Sequence, residues 1–130
     1  MTGYMNYARR YHTSSLLSNG NVLIAGGQGY AGILSSSELY NSSTGIWTVT
    51  DNMTSARYQH TAVVLSDGKV LVVAGISPQG LLKSAELYDP STQTWSNASS
   101  MTFDRYSHTA SILSNGSVLV VGGYESSGYL

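Results

Sequence analysis

The chain is written almost three times over. His12, His60 and His108 stand 48 residues apart, and so do Met5, Met53 and Met101, and Arg9, Arg57 and Arg105. Gly20, Gly68 and Gly116 keep the same interval, as do Val22, Val70 and Val118. Glu38 with Glu86, Tyr40 with Tyr88 and Trp47 with Trp95 keep it in the first two copies. A period of this size marks one supersecondary unit that cannot bury its apolar surface alone and stacks on its neighbours. The register never slips, so the 130 residues divide into repeat 1 (about 5–52), repeat 2 (about 53–100) and partial repeat 3 (about 101–130).

Within a unit the pattern is that of strands. HTAVVL and KVLVVAG are short and rich in β-branched residues, and SNG or SDG separates such runs. Asn-Gly and Asp-Gly supply positive φ angles, which predicts a two-residue hairpin turn between the first two strands. A variable loop then leads to a third strand around SSELY or SAELY. The turn NSSTG or DPSTQ follows, with Asp89-Pro90 presetting its geometry, and a short fourth strand carries the Trp. Four antiparallel strands per unit at this spacing predict an all-β chain of propeller blades. The apolar runs are nearly continuous, as expected of sheets covered on both faces.

A glycine pair closing the second strand (Gly26-Gly27 and Gly122-Gly123), a Tyr in the third (Tyr40, Tyr88) and a Trp beyond it (Trp47, Trp95) resemble the Kelch repeat. The resemblance spans essentially the whole chain. It departs from the pattern at Ala74-Gly75, where the first glycine is replaced and the blade is expected to survive. It implies that these residues are scaffold and that Trp and Tyr pack between blades. Kelch rings close with about five to seven blades. This chain holds two units and a third hairpin, since YESSGYL stops where the next third strand is due.

An incomplete ring leaves blade faces open. Four strands about 4.8 Å apart and about 17 Å long present roughly 300 Å². At about 25 cal/mol per Å² of apolar area, each open face forgoes up to about 7 kcal/mol, comparable with the stability of a domain. The third hairpin also offers an unpaired edge. The expected partner is therefore a further copy of the chain, forming a homo-oligomer that completes a propeller, unless more of the same polypeptide supplies the blades.

The remaining composition mainly excludes. Six basic and seven acidic residues give a net charge of −1, with no basic stripe for nucleic acid and no polybasic segment for a membrane surface. Without cysteine there is no disulfide, thiolate metal site or Cys nucleophile. No apolar run approaches the length of a membrane span, and MTGYMNYARR lacks the apolar core of a secretory signal. Sequons at Asn41, Asn52, Asn97 and Asn115 are unremarkable in a chain so rich in Ser and Thr.

An exact repeat supplies an internal control: residues that obey the period do the same job in every blade, whereas an active centre is usually assembled once. His12, His60 and His108 obey it, and blades about 10 Å apart do not bring them together on one metal. They read as structural histidines, with no metal or other cofactor expected. RRYHTSSLLSNGNVLIAGG also resembles the Tyr-His strand of copper radical oxidases, in which such a His binds copper. Those enzymes need a Tyr cross-linked to Cys, which is lacking here. A Kelch-type sugar mutarotase would need only acid–base groups, and its discriminating feature would be a non-repeated carboxylate facing the channel, for which Asp104 and Glu125 are the candidates.

Arg9, Arg57 and Arg105 open the first strand of each unit. In Kelch proteins resembling ubiquitin-ligase adaptors, arginines at this place line the channel mouth and grip acidic peptides. The alternative is an ion pair with Glu38 or Glu86 inside the blade. The segments QGYAGILS, ISPQGLLK and YESSGYL look period-breaking and carry Tyr30, Pro78, Gln79, Tyr124 and Tyr129 as candidate contacts for a protein or peptide. The expectation is a non-enzymatic binding or scaffold module, with sugar binding or mutarotation as the alternative.

Overall fold

The computed structural model describes residues 2–130, and they form strands and turns without a helix. Blade 1 contains β1 (Thr13–Leu16), β2 (Val22–Ala25), the short pair β3 (Gln28–Gly29) and β4 (Gly32–Ile33), then β5 (Ser37–Asn41) and β6 (Ile46–Thr50). Its sheet order is β1-β2-β5-β6, every pair antiparallel. Blade 2 repeats it with β7 (Thr61–Val64), β8 (Val70–Ser77), β9 (Gly80–Asp89) and β10 (Thr94–Ala98). Half-blade 3 has β11 (Thr109–Ile112), β12 (Val118–Val121), β13 (Tyr124–Glu125) and β14 (Gly128–Tyr129). Among the described residues β12 is paired only on its β11 side, with no counterpart of β5 and β6.

Three local readings need correction. The β1–β2 connection is a three-residue loop, not a two-residue turn. Leu17 N–H donates to Asn21 O at 2.8 Å, and only Gly20, at φ 84°, takes the left-handed conformation. A type I turn followed by a left-handed glycine is the next commonest hairpin closure, and it leaves Asn19 in ordinary φ space. Secondly, the segments expected as loops are two-stranded ribbons: β3–β4, the far ends of β8 and β9, and β13–β14. Tyr30-Ala31, Pro78-Gln79 and Ser126-Ser127 are their turns, so these segments keep the 48-residue period in backbone while varying in side chain. Thirdly, Arg57 lies ahead of the first strand, in the link between blades: β7 begins at Thr61, after a single bridge from Tyr58 to Ile76.

The core lies between blades. Leu17, Leu23 and Leu39 of blade 1 meet Val70 and Tyr88 of blade 2, flanked by Ala62, Val64 and Trp95. Val73, Ala74 and Ala85 of blade 2 meet Met101 and Val120 from the third unit. Val70 and Val72 are wholly buried because one face of β8 serves each neighbour, which is why its sequence does not alternate. Tyr88 Oη and Thr50 Oγ1 share a hydrogen bond of 2.9 Å across the blades, and Trp95 Nε1 donates to Ser37 Oγ at 3.1 Å.

Backbone ties accompany the packing. Gly27 N–H donates to Arg57 O at 2.8 Å, and Gly75 N–H to Arg105 O at 2.9 Å. A side chain on Gly26 would stand 2.5 Å from Arg57 O, which explains the first glycine of the pair. At the matching place Ala74 holds φ 59°, and the blade does survive, with a bulge between Val73 and Gly75. A second ladder runs through three left-handed residues, Tyr11, Gln59 and Ser107. Gln59 N–H donates to Tyr11 O at 3.2 Å and Ser107 N–H to Gln59 O at 3.3 Å.

Candidate functional site

The arginine and glutamate of each complete blade form one closed unit. Arg57 Nη1 donates to Ala74 O and Ser84 O, each at 3.0 Å, and Nη2 donates to Glu86 Oε2 at 2.8 Å. Glu86 also accepts Thr54 N–H at 2.6 Å and Ser55 N–H at 3.1 Å. Blade 1 repeats the set: Arg9 reaches Gly26 O, Ser36 O and Glu38, and Asn6 and Tyr7 donate their amides to the same carboxylate. The pair therefore clamps the inter-blade link onto the third strand. Burial pushes the Glu38 carboxyl up, but the hydrogen bonds from Asn6, Tyr7 and Arg9 outweigh it and hold the group below its ordinary range. Burial lowers the Arg57 guanidinium, with the Glu86 carboxylate opposing.

Neither Arg9 nor Arg57 has any side-chain surface exposed, so in this arrangement neither contacts a ligand at a channel mouth. The blade carboxylate has taken the guanidinium. Arg105 differs: Nη1 donates to Gly122 O at 3.0 Å, but no carboxylate pairs with it among the described residues.

The histidines form a second interblade series. His60 Nε2 shares a hydrogen bond of 3.0 Å with Thr13 Oγ1 of the blade before, and His108 Nε2 shares one of 2.8 Å with Thr61 Oγ1. Burial, then the Arg57 charge, lowers His60 to a pKa of about 3; His12 and His108 are lowered too, by burial and then by Arg9 and Arg105. Among the described residues no three His, Asp or Glu side chains gather as a metal-binding group, and the ring nitrogens of His60 and His108 nearest a partner already serve threonines. Asp104 accepts hydrogen bonds from Ser126, and Glu125 from Ser127, both at the β13–β14 turn.

The ribbons project from equivalent places on successive units and carry the exposed candidates. Tyr30 is fully exposed at its turn, Pro78 and Gln79 are exposed at theirs, and Tyr129 is 82% exposed. Tyr124 packs between Tyr106, at 5.3 Å, and Tyr129, at 4.6 Å. In blade 1 an open depression of about 540 Å³ is lined by Ala8, Arg9, Arg10, Gln28, Gly29 and Tyr30. Arg10 donates to Gln28 Oε1 at 3.1 Å and lies 5.2 Å from the Tyr11 ring, and Tyr11 leans on Tyr58. Arg10 and Tyr11 give no repeat signal, because Tyr58 and Gln59 stand 48 residues on. Thr13 and Thr61 do give one: each directly follows a repeated histidine, and they recur at the same interval.

The Kelch motif matches residues 56–102, which is blade 2 with its entering link. No curated protein matches the sequence. Among solved structures, YjhT superposes with a TM-score of 0.78 at 18% identity, over 89% of this chain and 45% of that one. A novel fungal alcohol oxidase with catalytic diversity among the AA5 family, in complex with copper, superposes with a TM-score of 0.76 at 22% identity. That match covers 90% of this chain and 27% of the oxidase, so this chain spans less than half the length of either structure. At such identities the likeness concerns the fold. Residues 56–102 thus carry a Kelch motif, the residues that mark it recur at the same interval on either side, and the fold is that of propeller blades.

Proposed function

We propose that the chain is a non-enzymatic binding and scaffold module that completes its propeller by stacking on further copies of itself, the end of one against the start of the next. The carrying observation is that its two outer faces repeat the residues of its inner contacts. Leu113 and Leu119 are the counterparts of buried Leu17 and Leu23, yet they are 43% and 48% exposed. Leu16, counterpart of Val64 on the opposite face, is 68% exposed. Polar groups match as well: among the described residues Gly123 N–H lacks the arginine carbonyl that Gly27 and Gly75 find, and Arg9 O lacks a glycine donor. A face of this kind, continuous with an interface already formed twice, favours a heterologous contact.

The ribbon ends that display Tyr30, Pro78, Gln79 and Tyr129, with the Arg10 depression beside Tyr30, form the recognition surface of such a module. Rigidly held aromatic side chains give contact area at low entropy cost. Solution mass decides the assembly. A multiple of 13.8 kDa at micromolar concentration is expected. Leu119→Asp, on an exposed face, is expected to reduce it to one chain without loss of the fold. A single-chain mass with cooperative unfolding refutes the proposal.

A further inference from the structure

We propose that the groove between the hairpin loops of blades 1 and 2 binds a small amphipathic amine, its apolar chain laid along Leu17, Val64 and Leu65 and its ammonium group held by Asp67. The groove has a complete blade on either side. It measures about 570 Å³, with apolar lining from Leu16, Leu17, Val64 and Leu65 and polar lining from Ser18 and Asp67. That volume suits a ligand of modest size. The two loops come close: a methyl built on Gly68 would stand 3.7 Å from Ser18 Oγ. Leu17 is buried in the core that the two blades share, Val64 and Leu65 are half-buried, and Ser18 and Asp67 are exposed.

The repeat separates what Asp67 does for the fold from what is left over. The same loop position carries Asn19 in blade 1 and Asn115 in half-blade 3. In all three loops the side-chain Oδ1 accepts the N–H two residues on, that of Asn21 at 3.0 Å, of Lys69 at 3.1 Å and of Ser117 at 3.0 Å. An amide oxygen therefore closes the loop as well as a carboxylate oxygen does, and the turn does not require the negative charge at Asp67. Nor is the charge spent elsewhere. Among the described residues no cation pairs with Asp67, and Lys69, two residues on, is turned to Asp89 Oδ2 at 3.7 Å. Asp67 Oδ2 and Ser18 Oγ take part in no hydrogen bond among the described residues. An uncommitted carboxylate oxygen beside an apolar wall is complementary to a primary ammonium on a short hydrocarbon chain, because the ammonium is a compact charge with three donors. Asp67 is thus a period-breaking charge on a periodic frame.

The test is titration of the ¹⁵N-labelled protein with hexylamine near neutral pH, where the amine is charged. Saturable shifts confined to the loop amides of residues 17–20 and 64–68 are expected. Affinity should rise about twofold or more for each methylene from butylamine to hexylamine. Hexanol, of similar shape without the charge, is expected to bind about fivefold or more weakly, and so is hexylamine to an Asp67→Asn protein. Asparagine already closes the same loop in blade 1 and half-blade 3, so Asp67→Asn keeps the fold, and its unfolding curve reports this independently. Equal affinity for hexylamine before and after Asp67→Asn overturns the proposal, as do shifts scattered over the molecule or the absence of shifts at about 20 mM. Binding of a lysine-bearing peptide at these amides, with none of hexylamine, overturns it in favour of a protein partner. The ribbon ends that display Tyr30 and Pro78 contribute nothing to this groove, so the outcome is independent of recognition there.

Discussion

Blade 2 and half-blade 3 enter through the same kind of link, carry the same Arg and His, and differ in whether a third strand follows. In blade 2 the guanidinium of Arg57 is wholly buried and paired with Glu86. In half-blade 3 Arg105 keeps one backbone acceptor and remains half-buried. The link adopts its path in both, so the link amides and the arginine are positioned by their own backbone bonds rather than by the carboxylate. The carboxylate arrives at a site already built, and its burial then locks the blade.

The largest effect expected from this contrast is on stability. Glu86→Ala leaves Arg57 charged, buried and unpaired, and should cost about 3–5 kcal/mol in denaturant unfolding, whereas Arg105→Ala should cost about 1 kcal/mol or less. Similar losses for the two would show that half-blade 3 is as tightly closed as blade 2.

Acid should act next most strongly, through the histidines between blades. The fold keeps His60 neutral down to about pH 3, while an unfolded histidine takes a proton near 6.5. Between these values the unfolded chain binds more protons, so stability is complete above about pH 6.5 and falls as pH drops toward 3. Glu38, lowered in the fold, adds to the loss in the same direction once pH passes below its unfolded value of 4.5. From pH 7 to pH 5 the His60 contribution alone is about 2 kcal/mol. His60→Gln should flatten the pH dependence of the melting temperature, and an unchanged slope would assign it elsewhere.

The smallest effect is a gain. Ala74 holds the left-handed conformation that blade 1 gives to Gly26, so Ala74→Gly should stabilise by about 1 kcal/mol. Gly26→Ala should do the reverse, and more strongly, because its added methyl meets Arg57 O. Both are read from paired unfolding curves.

Much of this was legible in the sequence because it rests on periodicity. The interval of 48 residues, the apolar runs and the Tyr and Trp positions led to blades, and the Arg–Glu pair was visible as two residues that recur together. What stayed hidden were features that backbone geometry decides. The ribbons of residues 28–35 and 76–83 vary in side chain but share a hydrogen-bonding path, so they passed for loops. The exposure of Arg9 and Arg57 turned on which of two available acceptors came close enough, and spacing alone left both open. The amides of Asn6, Tyr7, Thr54 and Ser55 act without their side chains and leave no residue signature.

The ladder through Tyr11, Gln59 and Ser107 carries a different kind of consequence. Phenol, carboxamide and hydroxymethyl occupy the same step, and the hydrogen bonds between steps are made by main chain alone. Identity at these positions is therefore decoupled from architecture. This row of positions can be rewritten, blade by blade, into a different chemical vocabulary while the spacing of its letters stays fixed.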